Sequence, residues 1–444
     1  MRDALGSSYA DFHYHITESE PVVSIRFNPS KSFQNHAFDE VIPWHPDGRY
    51  LPERPVFALD PMWHAGAYYV QEASSMLVAE AFRQVIPGQH PLKVLDLCAA
   101  PGGKTTLLLD LLPSGGALVS NEVIKPRFNI LEENIWRWGN PGIILTRQDP
   151  AAFEPFSGYF DVVLVDAPCS GEGLFRKDPA SMEHWSEDHV NFCADRQKRI
   201  LSAATSLLAP GGVLLYSTCT FSKAENIDNA EWIRKQSSLE SLELSIPSDW
   251  GVQTVHQNGT FGYQCYPHLV RGEGFFLACL KNQKDAVAWK APRSKGERMN
   301  SLPKNLSDVF RPWLHAPDDL FLHEGFRGDI RAFPRGMTDV VRDFQISGAL
   351  FRSGLPIGQL KGRDVIPSAG LALSPTLRSE KIPTVALSRE DALTVLRKEA
   401  SNPTIFPKGW SLATFENQGL AWMKGLGNRV NNGYPKAWRL RKTD

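Results

Sequence analysis

No Cys-x-x-Cys pair occurs among the six cysteines, Cys98, Cys169, Cys193, Cys219, Cys265 and Cys279. Their scatter argues against a structural zinc site, and in a reducing compartment against disulfides, so free thiols are expected. No run approaches the roughly 18 apolar residues that a membrane-spanning helix needs, and Met1 to Ser8 lacks the apolar centre of a signal peptide. A cytoplasmic protein without a membrane or metal partner is expected, acting as a monomer. Strong positive charge is missing too. With 48 Lys and Arg against 49 Asp and Glu, the net charge is −1, so any polyanion must be gripped locally. Two phosphate motifs also fail: Gly103-Lys104-Thr105 resembles the end of a P-loop, but Cys98 stands where the first glycine belongs, and G-x-G-x-x-G does not occur.

What is present is 444 residues, 42% of them apolar, enough for two or three domains. Residues 1–90 mix Pro and aromatics, with a strand over Val22–Asn28 and helical spacing over Tyr69–Arg83, and read as a separate front module. Over residues 91–282 short Val/Ile/Leu runs alternate with helical stretches: Lys93–Cys98, Ala117–Glu122, Gly142–Asp149, Phe160–Asp166, Val213–Cys219 and Gly274–Leu280. This alternation predicts an α/β fold, a doubly wound and mostly parallel sheet. Residues 283–304 are polar and basic, with Lys284, Lys290, Arg293, Lys295 and Arg298, as in a linker. Residues 305–444 have short apolar runs broken by Gly and Pro and predict a small mixed β domain. Its tail, from Lys424, carries six basic residues against one acid, interleaved with Tyr434 and Trp438, which could stack on bases or pack between domains.

The run Val94 to Thr105 is a buried strand, a turn of small residues and the start of a helix over Thr105–Leu112. Backbone N–H groups at a helix start attract an anion. With Asp96 at the strand end to take an ammonium, the turn Cys98-Ala99-Ala100-Pro101-Gly102-Gly103-Lys104 suits an amino-acid-bearing nucleoside such as S-adenosyl-L-methionine. Acids ending the next two strands fit the same ligand: Glu122 for the ribose hydroxyls and Asp149 for the adenine amino group. Each alone would read as a turn former or cap; three after successive strands read as a site.

Two later segments place a cysteine just past a strand: Asp166-Ala167-Pro168-Cys169 and Ser217-Thr218-Cys219. In a doubly wound sheet the Asp166 strand lies beside the cofactor strand and the Cys219 strand beyond it, so both thiols and the carboxylate open into one crevice. Carbon 5 of a cytosine accepts a methyl group only after a thiolate adds to carbon 6. Either Cys219 or Cys169 could add, with Asp166 holding ring nitrogen 3 or the amino group. Cys98, Cys193, Cys265 and Cys279 are read as small buried residues. Ser222-Lys223-Ala224-Glu225 reads as a capping box, which makes Ser222 and Glu225 structural.

These segments, with Arg26-Phe27-Asn28, His64 to Ser75 and Gly272 to Phe276, resemble the motifs of the Sun family of RNA 5-methylcytosine methyltransferases, in its bacterial RsmF-like branch. The likeness runs nearly end to end. It implies a class I, Rossmann-like methyltransferase core with an N-terminal RNA-binding module and a C-terminal PUA-like domain. By that likeness Cys219 is the nucleophile and Cys169 aids product release, while the cofactor contacts fall on Cys98 to Lys104, Glu122, Arg127, Asp149 and Asp166. The implied substrate is a cytosine of small-subunit ribosomal RNA, gripped by its phosphates with a salt-dependent affinity. Transfer RNA methylation is the rival within this chemistry, and a non-catalytic ribosome-assembly factor the rival outside it.

Overall fold

The Val/Ile/Leu runs become the centre of one ten-stranded sheet in the computed structural model, which describes residues 5–32, 40–86, 90–284, 289, 301–325, 328–362 and 364–442. The strands are β1 (Lys93–Asp96), β2 (Ala117–Asn121), β3 (Ile143–Thr146), β4 (Phe160–Asp166), β5 (Leu208–Thr218), β6 (Leu239–Ser241), β7 (Gln253–Gln257), β8 (Thr260–Cys265), β9 (Phe275–Asn282) and β10 (Phe351–Ser353). Their order is β7-β8-β9-β5-β4-β1-β2-β3-β10, with β6 beside β9. The five strands β3-β2-β1-β4-β5 are parallel, as crossover helices require. β9, expected within the parallel pattern, runs antiparallel to β5, because it ends a meander from β7 rather than a helical crossover.

Neighbouring residues of the central strands face opposite cores, which is why these segments are apolar throughout. Val94, Leu118, Val162 and Leu164 join the helices α1 (Leu77–Val85), α2 (Gly103–Leu111) and α3 (Lys125–Trp138). Leu95, Val119, Val163 and Val165 meet α4 (Glu187–Ser206), α5 (Ile227–Ser237) and the helix Thr338–Ile346 on the other face.

The front module is a four-stranded sheet whose strand Val23–Phe27 pairs with His45–Leu51 and Tyr68–Tyr69. The helix expected over Tyr69–Arg83 begins later, after a 3₁₀ turn at Ser74–Met76. The Glu72 carboxylate accepts from the backbone N–H groups of Ser74 and Ser75, both at 2.8 Å, which starts the helical path there and leaves Tyr69 to Glu72 extended.

Residues beyond 305 form two four-stranded sheets rather than one. The first joins Leu320–Glu324, Ile330–Pro334, Leu355–Lys361 and Asp364–Pro367; the second, Thr384–Ala386, Gly409–Phe415, Gln418–Gly425 and Val430–Asn432, mixes parallel and antiparallel pairs. One strand of this region, β10, leaves to edge the central sheet against β3. The linker residues Lys290, Arg293, Lys295 and Arg298 lie outside the described residues. Tyr434 and Trp438 are buried, Tyr434 bonded to His64 at 3.0 Å and Trp438 against Trp136, so the tail aromatics pack the domains together. Arg429, Lys436, Arg439, Arg441 and Lys442 remain exposed.

Candidate active site

β1 ends at Asp96, and the chain turns into α2 at Gly102, whose φ of +112° is a conformation only glycine adopts without strain. The helix starts at Gly103, two residues before the expected Thr105, so the N–H groups of Gly103 and Lys104 belong to its first turn. Buried Asn121, at the end of β2, ties the turn down by donating to the Leu97 carbonyl at 3.2 Å. The Asp96 carboxyl is wholly buried. Its Oδ2 accepts from Thr105 Oγ1 at 2.6 Å, while its Oδ1 has no partner, and burial pushes it up to about 7.

A cavity of about 310 Å³ opens over this turn. Asp96, the stretch Cys98 to Pro101, Gly103 and Lys104 form one wall, and Asp166, Cys219 and Phe275 another. An orphaned carboxylate oxygen next to a helix N-terminus offers one place for an ammonium and one for a carboxylate, so the residues present fit the amino-acid end of S-adenosylmethionine.

Register brings the two cysteines together. β4 and β5 are neighbours with Asp166 opposite Ser217, and Cys169 and Cys219 follow three and two residues on. Their Sγ atoms lie 3.3 Å apart. The Cys219 thiol is lowered, first by the hydrogen bond from Cys169 and further by the Lys104 ammonium, against burial and Asp166. Cys169 is raised, by that same bond, by burial and by the Glu225 carboxylate. The pair therefore favours ionisation at Cys219 over ionisation at Cys169. Asp166 receives Ser217 Oγ on Oδ1 at 2.8 Å and Lys104 Nζ on Oδ2 at 2.8 Å.

Two buried carboxylates fix the loops that carry these thiols. Glu172 accepts from Thr220 Oγ1 and the Phe221 N–H, both at 2.8 Å, and from Trp185 Nε1 at 2.9 Å. Glu225 accepts from the Ser170 N–H at 2.9 Å, the Ser170 hydroxyl and Gln197 Nε2 at 2.8 Å. The capping box expected at Ser222–Glu225 does not form: α5 starts at Ile227, and Glu225 is drawn across the sheet to the Cys169 loop. Close approach matters at Gly173. Its N–H donates to the Cys219 carbonyl at 2.8 Å, and a Cβ there would lie 2.5 Å from that oxygen.

The remaining expected residues sit off the cavity wall. Glu122 accepts from the Ile124 N–H at 2.8 Å, Arg127 donates to the Ala100 carbonyl at 2.8 Å and faces Glu122 at 3.7 Å, and exposed Asp149 caps the 3₁₀ helix Pro150–Phe156. Cys169, its Sγ 3.3 Å from that of Cys219, does not line the cavity.

Three family models cover most of the chain. That of the 16S rRNA methyltransferase RsmB/F matches residues 84–281, the N-terminal domain of 16S rRNA methyltransferase RsmF residues 1–73, and the methyltransferase RsmF PUA domain residues 382–440. A relative named ribosomal RNA small subunit methyltransferase F, from Cronobacter sakazakii, is 31% identical over 414 residues, 89% of this chain and 83% of the relative. The chain belongs to the RsmF family. A Shewanella relative of the same name is also 31% identical, over 89% of this chain and 84% of its own. Among solved structures, a methyltransferase homolog from Pyrococcus horikoshii shares 27% identity over 62% of this chain and 91% of its own, with a TM-score of 0.52. NSun6 from the same organism has a TM-score of 0.52 at 22% identity over 64% and 97%, a likeness of fold. This RsmF-family chain is an S-adenosylmethionine-dependent RNA methyltransferase.

Several wall residues of this RsmF-family site were not anticipated as such. Tyr69, Gln71 and Glu72 reach the cavity from the front module, and Lys177, Glu273 and Phe275 from the far side. Lys104 was expected for its place in the turn; its charge between Asp166 and Cys219 comes from the fold. Cys98, read from spacing as a core thiol and placed by the resemblance among the cofactor contacts, lines the cavity; Cys193, Cys265 and Cys279 are buried. Among the described residues no cluster of three metal-ligating side chains occurs, and no helix is long and apolar enough to cross a membrane.

Proposed function

We propose that this protein methylates carbon 5 of a cytosine in small-subunit (16S) ribosomal RNA, through a transient bond from Cys219 to carbon 6, as a cytoplasmic monomer. The observation that carries this is the pair of thiols 3.3 Å apart, Cys219 at the wall of a cavity that begins at the cofactor turn. S-adenosylmethionine, when bound, supplies an electrophilic methyl group. Asp96 would hold its ammonium, the Cys98 to Lys104 turn its carboxylate, and Glu122, Arg127 and Asp149 its nucleoside. The cytosine enters unpaired or flipped out, since carbons 5 and 6 are closed off inside a stack.

The Cys219 thiolate adds to carbon 6, forming the C–S bond and moving electron density to carbon 5. Asp166, steadied by Lys104 and Ser217, accepts from the cytosine amino group and orients the ring. Once methylated, carbon 5 still carries its hydrogen. A base takes that proton, which returns the electron pair to the C5–C6 bond and expels the Cys219 thiolate; Cys169, 3.3 Å from the Cys219 sulfur, fills this role once it has given its own proton to solvent. The decisive experiment is bisulfite sequencing of ribosomal RNA with and without this gene, joined to methyl incorporation into isolated small subunits and transfer RNA. A methylcytosine lost from 16S RNA is the expected result. Incorporation into transfer RNA alone would move the substrate elsewhere.

A further inference from the structure

A second cavity, about 250 Å³, lies outside the site just described. Its walls hold five aromatic rings, Phe57, Trp63, Tyr68, Tyr69 and Trp138, and its polar side chains are the donors Arg54, Arg137 and Asn134. No carboxylate lines it among the described residues. With Arg137 paired to Glu133, the set favours a flat ligand rich in acceptors, its negative charge at Arg54.

Arg137 marks the place where such a ligand would be held. The residue is 7% exposed, its guanidinium lies 4.4 Å over the Trp63 ring and 5.6 Å from Trp438, and its Nε–H is buried with no hydrogen-bond partner. A buried donor left unpaired is costly, so a ligand acceptor at that atom has an evident use. The pocket is built rather than incidental. Gly66, in its wall at φ +69°, lies so close to the Arg137 carbonyl that a Cβ would approach it to 1.9 Å. Arg54 is exposed at the rim.

Position supplies the identity of the ligand. Tyr69 and Val70 line both cavities, so the two are separated by one thickness of chain. An unpaired nucleotide adjoining the target is a flat, acceptor-bearing, anionic group that suits the second cavity while the cytosine occupies the first. We infer that the Trp63–Arg137 cavity is a second nucleobase site, which takes an unpaired base neighbouring the target cytosine among its rings, with its phosphate at Arg54. This rests on the RNA-methylating reading of the first cavity. Aromatic stacking tolerates every base, and an arginine donor selects for an acceptor.

The test uses the full chain with S-adenosylmethionine and a fluorescent single-stranded RNA nonamer of mixed sequence, measuring Kd against salt. Trp63→Ala should weaken binding about tenfold, with Trp63→Phe close to wild type. Arg54→Ala should weaken it severalfold and reduce the salt slope by about one. Affinity for S-adenosylmethionine, by calorimetry, should stay within about twofold in all three. Unchanged RNA affinity in both Trp63→Ala and Arg54→Ala would overturn the inference. So would weakening by Trp63→Ala alone with an equal loss of cofactor affinity, since that reports a structural role. Failure of the wild type to methylate small subunits would count against the proposed function instead, and is read in a separate assay.

Discussion

Lys104 Nζ lies 2.8 Å from Asp166 Oδ2, and its charge also acts on Cys219. The Cys169 hydrogen bond is the larger influence on the Cys219 thiolate, with Lys104 the cation that opposes burial. Lys104→Gln therefore raises the pH at which Cys219 ionises. Iodoacetamide labelling of residue 219, followed by mass spectrometry across pH 6–10, should move to higher pH and be slower near neutrality. An unmoved profile would remove Lys104 from thiol activation.

The proposed role of Asp96 makes cofactor binding depend on pH. Burial raises its carboxyl from 3.8 to about 7, while a bound ammonium needs the ionised form. Affinity for S-adenosylmethionine should therefore rise between pH 6 and 8, by about tenfold for a group titrating near 7. Stability without ligand runs the other way. The unfolded chain loses this proton near pH 4 and the folded protein near 7, so the contribution present below pH 4 is lost as pH rises to 7. Calorimetry and thermal melts of wild type and Asp96→Asn check both: the variant should bind weakly at every pH, and its melting temperature should fall less between pH 5 and 8.

Arg26 joins the front module to the cofactor helix. The guanidinium is fully buried, paired with Asp110, donating to Gln71 Oε1 at 2.9 Å and Thr106 Oγ1 at 2.6 Å, and lying 4.4 Å over Trp138. Burial lowers it, and burial also raises Asp110 to about 6, so each charge depends on the other. Arg26→Met leaves Asp110 uncompensated and should cost about 3–5 kcal/mol in urea unfolding. Adding Asp110→Leu should restore much of that loss. An additive double mutant would show that the pair is not coupled.

The limits of reading this chain from its letters follow from distance along it. β1 to β5 and their order were legible because each strand is a local apolar run and the crossover rule does the rest. The turn at Gly102 was legible for the same reason. Glu225 was misread because Ser222 and Glu225 match a local capping pattern, yet Ser170, 55 residues earlier, supplies better donors for the carboxylate. Tyr69 and Gln71 were misplaced by helical spacing, which the Glu72 cap overrides. β10 gave no sign of its destination: Phe351–Ser353 is three residues long, and its partner β3 lies some 200 positions away. Trp438 and Tyr434 fit base stacking and domain packing equally well in the sequence, until His64 and Trp136 cover them.

The 3.3 Å between Cys169 and Cys219 sets different fates for the two cysteine variants. With Cys219 replaced by Ala no sulfur can reach carbon 6, and methyl transfer should fall by a factor on the order of 10³ or more. Cys169→Ala keeps the Cys219 nucleophile but removes the hydrogen bond that lowers it most, so addition should slow rather than stop. It removes the thiol 3.3 Å from Cys219, the one proposed to take the carbon 5 proton. The intermediate should then persist as a protein–RNA adduct that survives a denaturing gel, requires S-adenosylmethionine and vanishes in the Cys169→Ala, Cys219→Ala double variant. If Cys169→Ala turns over at the wild-type rate with no adduct, proton removal belongs to another group, and the two-thiol scheme fails at its second step while Cys219 keeps its own.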